Sequence, residues 1–445
     1  MALTELAGWG NHAPARCDLA VPESVAAVSR AVAPGGTIAR GLGRSYGDAA
    51  VNADRRVIGM TAIDRFLGFD PATGTLECEA GVSLADVVAT YAPRGWFPMV
   101  TPGTRFVTIG GCIANDVHGK GHHSQGSFSR CVESMTVLVA SGEVVRASRE
   151  HNADLFWATF GGMGLLGVVL TATIRLRRVE TTYFRQTVTA HGSLESMIDA
   201  LRSDHEPYAV ATLDVFATGS RLGRGVSNAG DHARLDELPP QLAREPLRVG
   251  GPPRIGVPFL LPDLTLTRTS LRLVNALILE IQRRGGRFAR YESFVYPLDF
   301  VARWNRGYGR RGFTQYQLLV PSDGAQRVLR EVLTAIGASG ELPFLNVLKR
   351  MGPASGGLLS FPLEGYTLAI DFPIRPGLAA LLARLDAIVL HAGGRVYLGK
   401  DSFLRPETFR AMYPALDAWM VVKRRWDPAG VFTSNLGRRV GLTPP

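Results

Sequence analysis

The sequence predicts an α+β protein with two packed domains. Three observations carry that expectation. The 445 residues exceed what one hydrophobic core usually supports. Glycine clusters, each beside a short apolar run, crowd the N-terminal part and stop near residue 180. Beyond that point longer periodic segments take over. The expected divisions are residues 1–180, residues 181–392 and a C-terminal segment, 393–445.

The elements follow from turn and capping chemistry. Pro22 opens a helix with Val25, Val28 and Val32 on its apolar face, closed by Pro34-Gly35-Gly36. Thr37 to Ala39 reads as a strand entering the Arg40 to Asp48 cluster, and Val57 to Met60 as a second strand. Arg65 to Phe69 and Thr75 to Glu79 flank a hairpin turn at Asp70-Pro71-Ala72-Thr73-Gly74. Ser83 caps a helix burying Leu84, Val87, Val88 and Tyr91. Met135 to Ala140 and Val144 to Ala147 form another hairpin, and Leu166 to Ile174 is a buried strand. Residues 218–262, rich in Gly, Pro and Arg, read as a long surface loop. Helices follow at Val328, Val332, Ile336 and at Leu378, Leu381, Leu385, Val389. Val396 to Leu398 reads as a strand, and a helical stretch ends at Trp426.

Composition narrows the function. No apolar run reaches the roughly 18 residues of a membrane span, and the first residues lack the basic and apolar regions of a signal peptide. Cys17, Cys78, Cys112 and Cys131 lack paired spacing and read as reduced thiols, so a cytoplasmic protein is expected. The formal charge of +10 is scattered, without a recognition helix or an aromatic-basic block, which argues against nucleic acid. An anionic small substrate or an acidic membrane surface suits it better. Of the 49 basic residues only Lys120, Lys349, Lys400 and Lys423 are lysine. Lysine retained against such a bias points to places that need a compact or tunable amine.

The glycine clusters carry the chemistry. Glycine lets backbone N–H groups approach pyrophosphate oxygens with no Cβ in the way. Arg40 to Asp48 is not a dinucleotide fingerprint, because Tyr46 stands where the third glycine belongs and no helical pattern follows. No Walker A motif is present. Gly43-Arg44-Ser45-Tyr46-Gly47 matches the spacing of a hydrolase nucleophile elbow, but Ala49 to Arg55 lacks the apolar face of the helix that must follow. His118 and His122 have metal-ligand spacing, yet the intervening glycines disfavour a helix and no carboxylate or thiol completes a ligand set. No metal is expected.

Gly41 to Asp48, Pro102-Gly103-Thr104-Arg105, Thr108 to Gly111, His118-Gly119-Lys120 and Leu155 to Thr159 together resemble the vanillyl-alcohol-oxidase-type flavoproteins. The likeness continues through Trp304 to Gly309, Gln315-Tyr316-Gln317, Phe344 to Val347, Asp371 to Ile374, Lys400-Asp401-Ser402 and Ala411 to Pro414, nearly the whole chain. It implies that family's two-domain FAD-binding fold, with a substrate domain on an antiparallel sheet and a C-terminal segment returning to the flavin. It also implies which residues hold FAD. Arg40, Gly41, Leu42, Gly43, Arg44, Ser45, Tyr46, Gly47 and Asp48, with Gly103, Thr108, Ile109, Gly110 and Gly111, would hold the pyrophosphate. Asn115, His118, Val169 and Tyr397 would touch the rest of the cofactor. Lys120, Gln315, Gln317, Asn346, Lys349 and Lys400 would line the substrate side, with Lys400, His118 and Tyr46 as the catalytic candidates.

The reaction implied is oxidation of a secondary alcohol on a glycosyl or polyol substrate, with the hydride going to flavin N5. It would serve as the first half of an epimerisation completed by an NAD(P)-dependent reductase. Rivals are an aldonolactone or alditol oxidase of the same family and a non-catalytic flavin- or nucleic-acid-binding protein. Two departures make the pocket less polar: Ala369 replaces a cysteine at the flavin face, and Val295 replaces a tyrosine. Arg44 and Thr104 occupy the positions of linking histidine and cysteine, so FAD is expected to be non-covalent. Within 218–262, Arg221, Arg224, Arg234, Arg244, Arg248 and Arg254 outnumber Asp231, Asp236, Glu237 and Glu245, and the apolar Val257 to Leu261 follows. Transient contact with an anionic membrane is expected there.

Overall fold

The computed structural model describes residues 3–251, 253 and 255–444. β1 (Thr4–Leu6), β2 (Ala15–Ala20), β3 (Thr37–Arg40) and β4 (Arg56–Gly59) form one sheet in the order β1-β2-β4-β3, with β2, β4 and β3 parallel. A second, antiparallel sheet takes β5 (Phe66–Asp70), β6 (Thr75–Glu79), β7 (Trp96–Pro98), β8 (Val132–Leu138), β9 (Val144–Ser148) and β10 (Val168–Arg178). Its order is β5-β6-β10-β8-β9, with β7 on β10. The helix Leu84–Tyr91 starts where its chemistry requires. The Ser83 hydroxyl accepts from the Asp86 amide at 3.1 Å, and the Asp86 carboxylate accepts from the Ser83 amide at 3.1 Å. Its Leu84, Val87, Val88 and Tyr91 are all buried, the i, i+3, i+4, i+7 stripe that drives it onto the core.

The rest of the chain builds a second domain. It comprises β11 (Tyr183–His191), β12 (Tyr208–Leu213), β13 (Gly225–His232), β14 (Ile255–Gly256), β15 (Phe288–Arg290), β16 (Val301–Ala302), β17 (Phe313–Pro321), β18 (Asn346–Met351), β19 (Gly365–Pro373) and β20 (Arg395–Val396). Eight of them form an antiparallel sheet, β15-β11-β13-β12-β18-β19-β17-β20, while β14 and β16 pair separately. The helices Ala325–Ala338 and Leu378–His391 turn their periodic apolar faces inward. The C-terminal segment then returns to the first domain: Phe432 bridges Thr37, and Trp419, fully buried, donates its indole N–H to Ala158 O at 2.9 Å.

Residues 218–262 are not one long loop. β13 lies inside the large sheet between β11 and β12, and Ala233 and Leu238 beyond it are buried. Its sequence, Gly-Val-Ser-Asn-Ala-Gly-Asp-His, hides the strand because small residues are needed there. A Cβ at Gly230 would sit 2.1 Å from Arg185 O. Three of the arginines expected to face a membrane are already paired, Arg224 with Asp214, Arg234 with Asp236 and Arg248 with Glu245. Arg254 lies outside the described residues. The strand expected at Val396 to Leu398 is the two-residue β20, and a helix unread in the sequence covers Arg268–Arg283. No helix among the described residues is long and apolar enough to cross a membrane.

Candidate active site

One cavity of about 1270 Å³ runs between the two domains. The loop after β3 and the turn at Thr108 make its first wall. Thr108 caps the helix Ile109–Ala114 by accepting from the Gly111 amide at 3.2 Å. A Cβ on Gly41 would lie 2.1 Å from that same Thr108 hydroxyl, so only glycine lets loop and helix touch. Gly41, Leu42, Gly43, Arg44, Ser45, Gly103, Thr108, Gly110, Gly111, Asn115 and Val169 all line the cavity. The amides of Leu42, Gly43, Arg44 and Ser45 have no acceptor among the described residues. Unpaired N–H groups beside glycine on a cavity wall are an anion cradle, and they fit a pyrophosphate.

Four of the expected cofactor residues stand behind this wall instead. Arg40 donates to Ala7 O at 2.7 Å and Ala50 O at 3.0 Å, propping the loop from beneath. Gly47 packs on the Asp401 carbonyl, where a Cβ would lie 1.9 Å away. Asp48 accepts two hydrogen bonds from Arg439, at 2.8 and 3.0 Å, and Ile109 is wholly in the core. Arg439 also donates to Asp401 at 2.8 Å, so one guanidinium ties the cradle to the segment carrying Lys400. Nothing in the local sequence marks Arg439, because its partners lie 391 and 38 residues away.

The second wall is the large sheet. Gln315 faces Asp371, Gln317 and Val347 face Ala369, and Lys349 faces Thr367 across β17, β19 and β18. Cross-strand partners share a face of the pleat, so these side chains form one floor. Asp371, part of the family likeness but given no site role from the sequence, is fully buried. It accepts from Gln315 Nε2 at 2.6 Å and from the Tyr308 hydroxyl at 2.9 Å. Asn346 lines the cavity, but its amide is committed: it accepts from Leu213 N at 2.7 Å and donates to Leu213 O at 2.8 Å. It closes the gap where β12 and β18 part, and it has little left for a substrate.

His118 sits between floor and cradle. Thr367 donates its hydroxyl to Leu318 O at 2.8 Å, so it accepts from Gln317 Nε2 at 3.1 Å. The same nitrogen lies 2.9 Å from His118 Nε2, which must then accept, leaving the proton on Nδ1. Burial, with help from Lys349, His122 and Lys400, holds His118 well below its ordinary range and therefore neutral. Its Nδ1 is buried without a partner among the described residues, a donor left for a bound group. His122 and His123 diverge: His122 Nδ1 accepts from Gly352 N at 3.0 Å, and His123 Nε2 meets Glu206 O at 2.9 Å. They lie on a single helical turn, His122–Gln125, which starts only after Gly121, so no helix joins His118 to His122, in keeping with the intervening glycines.

Burial, with Lys349 and His123, holds His122 down to about 3. The unfolded chain therefore takes up a proton that the folded one refuses once the pH drops below about 6.5. Stability should fall toward pH 3 by about 1.4 kcal/mol per pH unit from this group alone. In His122→Asn, the amide oxygen replaces the Nδ1 acceptor. The melting temperature of this variant should decline less steeply from pH 6.5 to 4; an equally steep decline would assign the acid sensitivity elsewhere.

Three lysines reach the same cavity. Lys120 donates to Phe294 O and is pushed down to about 7 by burial and Lys349, while burial alone brings Lys349 to about 8. Lys400 Nζ lies 3.6 Å from the centroid of the Tyr46 ring and donates to no described residue. Burial pushes it down, with Asp371 opposing and Lys349 adding, while burial pushes Asp371 up. Tyr46 is itself buried, edge-on to Phe313 at 5.3 Å between centroids. Tyr397 completes the corner by donating its hydroxyl to Asn115 O at 2.9 Å. Ala369 and Val295 line the cavity as well.

An anion cradle opening onto a sheet floor with amines and a neutral imidazole fits an FAD-dependent oxidoreductase acting on CH–OH groups. The comparisons agree. The FAD binding domain model matches residues 19–148, and the D-arabinono-1,4-lactone oxidase model matches residues 319–440. Decaprenylphosphoryl-beta-D-ribose oxidase of Mycolicibacterium smegmatis is 40% identical over 98% of this chain and 97% of its own. An uncharacterized protein in the mprA 5′ region of Streptomyces coelicolor is 38% identical over 81% of this chain and 100% of its own. L-gulonolactone oxidase of Bos taurus is 30% identical over 37% of this chain and 36% of its own. The chain belongs to the vanillyl-alcohol-oxidase-type family of FAD-dependent oxidoreductases.

Proposed function

We propose that the protein oxidises a secondary hydroxyl of a phosphate-bearing, prenyl-linked glycosyl substrate to a ketone, the first half of an epimerisation that a separate NAD(P)-dependent reductase completes. The observation that carries this is Lys400: an amine that donates to no described residue, in the cavity that also holds the anion cradle. FAD, when bound, supplies the two-electron acceptor. The substrate carbon gives up its hydrogen with two electrons, and the hydroxyl gives up a proton. Lys400 orients that hydroxyl and balances the negative charge that develops beside it. His118 presents its Nδ1–H toward the bound group, and Gln317 fixes that tautomer. Lys120 and Lys349 supply the positive field for a phosphate.

The likeness of residues 319–440 to the arabinonolactone oxidase model favours a second reading, oxidation of a free aldonolactone. Anaerobic mixing with free lactones, nucleotide sugars, and short-chain and long-chain prenyl-phosphate sugars separates the two. Bleaching of the flavin by the prenyl-phosphate sugars is expected; bleaching only by free lactones would overturn the proposal. The FAD is proposed to be non-covalent. Arg44, at the usual linking position, donates to Phe106 O at 3.1 Å and stacks 3.8 Å from the Trp9 ring centroid. Acid precipitation should leave the flavin in the supernatant, and a yellow pellet would contradict this.

A further inference from the structure

The cavity mouth carries a surface that the reaction does not use. Among the described residues, nine of the fifteen exposed large apolar side chains fall between residues 255 and 300. The Arg268–Arg283 helix holds the centre of this patch. Its inner row, Leu271, Val274, Asn275 and Ile278, lines the cavity, and Asn275 anchors it by donating to Asp214 at 3.1 Å. Its outer stripe is Leu273 and Leu277 at i and i+4, exposed by 72% and 57%, and it runs on to Ile281 at the cavity rim, exposed by 63%. Leu264, Phe259 and Phe300 extend it, exposed by 79%, 63% and 64%. A helix apolar on both faces is ordinarily covered on both.

Charge identifies what covers the outer face. Residues 268–287 carry five arginines, Arg268, Arg272, Arg283, Arg284 and Arg287, all exposed, against one acid, Glu280. Glu280 is already held by Arg283 and Arg284 at 2.8 and 2.7 Å. Apolar side chains flanked by arginine, with no free acid within residues 268–287, match the headgroup-to-acyl boundary of an anionic bilayer. We infer that this helix and its apolar neighbours seat the enzyme on an anionic membrane, with the inner row continuing the apolar path into the cavity. The inference rests on the prenyl-linked reading only for its purpose; the surface itself does not depend on it.

The test uses the full-length, FAD-loaded protein and vesicles of phosphatidylcholine with or without phosphatidylglycerol. The wild type should co-sediment with the anionic vesicles at low salt and be released at high salt. The Leu264→Ser/Leu273→Ser/Leu277→Ser variant, changed only at exposed positions outside the cavity lining, should keep its flavin and bind at least about tenfold more weakly. Arg268→Gln/Arg272→Gln should lose the preference for phosphatidylglycerol. Equal sedimentation of wild type and triple-serine variant overturns the inference. So does sedimentation equilibrium showing that the triple change dissociates a dimer, because the face would then be covered by a second copy. Vesicle binding without flavin bleaching by any prenyl-phosphate sugar would sink the proposed substrate and leave this surface standing.

Discussion

Lys400→Ala should bind FAD normally and yet reduce it with substrate on the order of 10²-fold or more slowly. The retained flavin follows from geometry: no cradle residue hydrogen-bonds the Lys400 side chain, and the flanking Asp401 stays pinned by Arg439. The lost rate follows from position. The ammonium sits over Tyr46, and burial and Lys349 make it easier to discharge than an ordinary lysine. A group in that state acts by its charge only while protonated. The rate of flavin reduction should therefore fall as pH rises through the lowered pKa. A base role would give the opposite slope. Near wild-type reduction in the alanine variant would remove Lys400 from the mechanism.

Lys423→Met should cost about 3–5 kcal/mol of stability, the range for breaking a buried ion pair from one side. Lys423 Nζ donates to Leu165 O at 2.5 Å, to Phe432 O at 2.9 Å and to Asp427, which is fully buried. Asp427 in turn accepts from Val431 N at 2.7 Å and Phe432 N at 2.9 Å. Removing the amine strands a carboxylate and two carbonyls where the C-terminal segment meets β3. Thermal unfolding should show a drop of several degrees or more, and the added loss in Lys423→Met/Asp427→Asn should be small, because the stranded charge is gone. Additive losses would mean that the two residues act separately.

What could be read from the sequence depended on how local its cause was. The Ser83 cap, the Asp70 to Gly74 hairpin and the helices Ala325–Ala338 and Leu378–His391 rest on neighbouring residues, and they stand where expected. β13 was unreadable because its small residues answer to backbones on both sides, and the Arg268–Arg283 helix because it is apolar on two faces. The glycine cradle was readable as a place for an anion. Asp371, Arg439 and the committed amide of Asn346 were not. Their significance lies in partners that only the folded chain brings near.

The four lysines leave the protein with an uneven chemistry. Lys349 and Lys423 are buried, and Lys120 and Lys400 are half-buried in the cavity, so every exposed cation of the described surface is a guanidinium. A guanidinium keeps its charge at any physiological pH and offers nothing to acylating agents that target amines. The outer charge is thus permanent, while every side-chain amine that can titrate or react is held within the protein, and most of them around one space. An amine-directed reagent small enough to enter would meet three of the four lysine side chains in that one cavity.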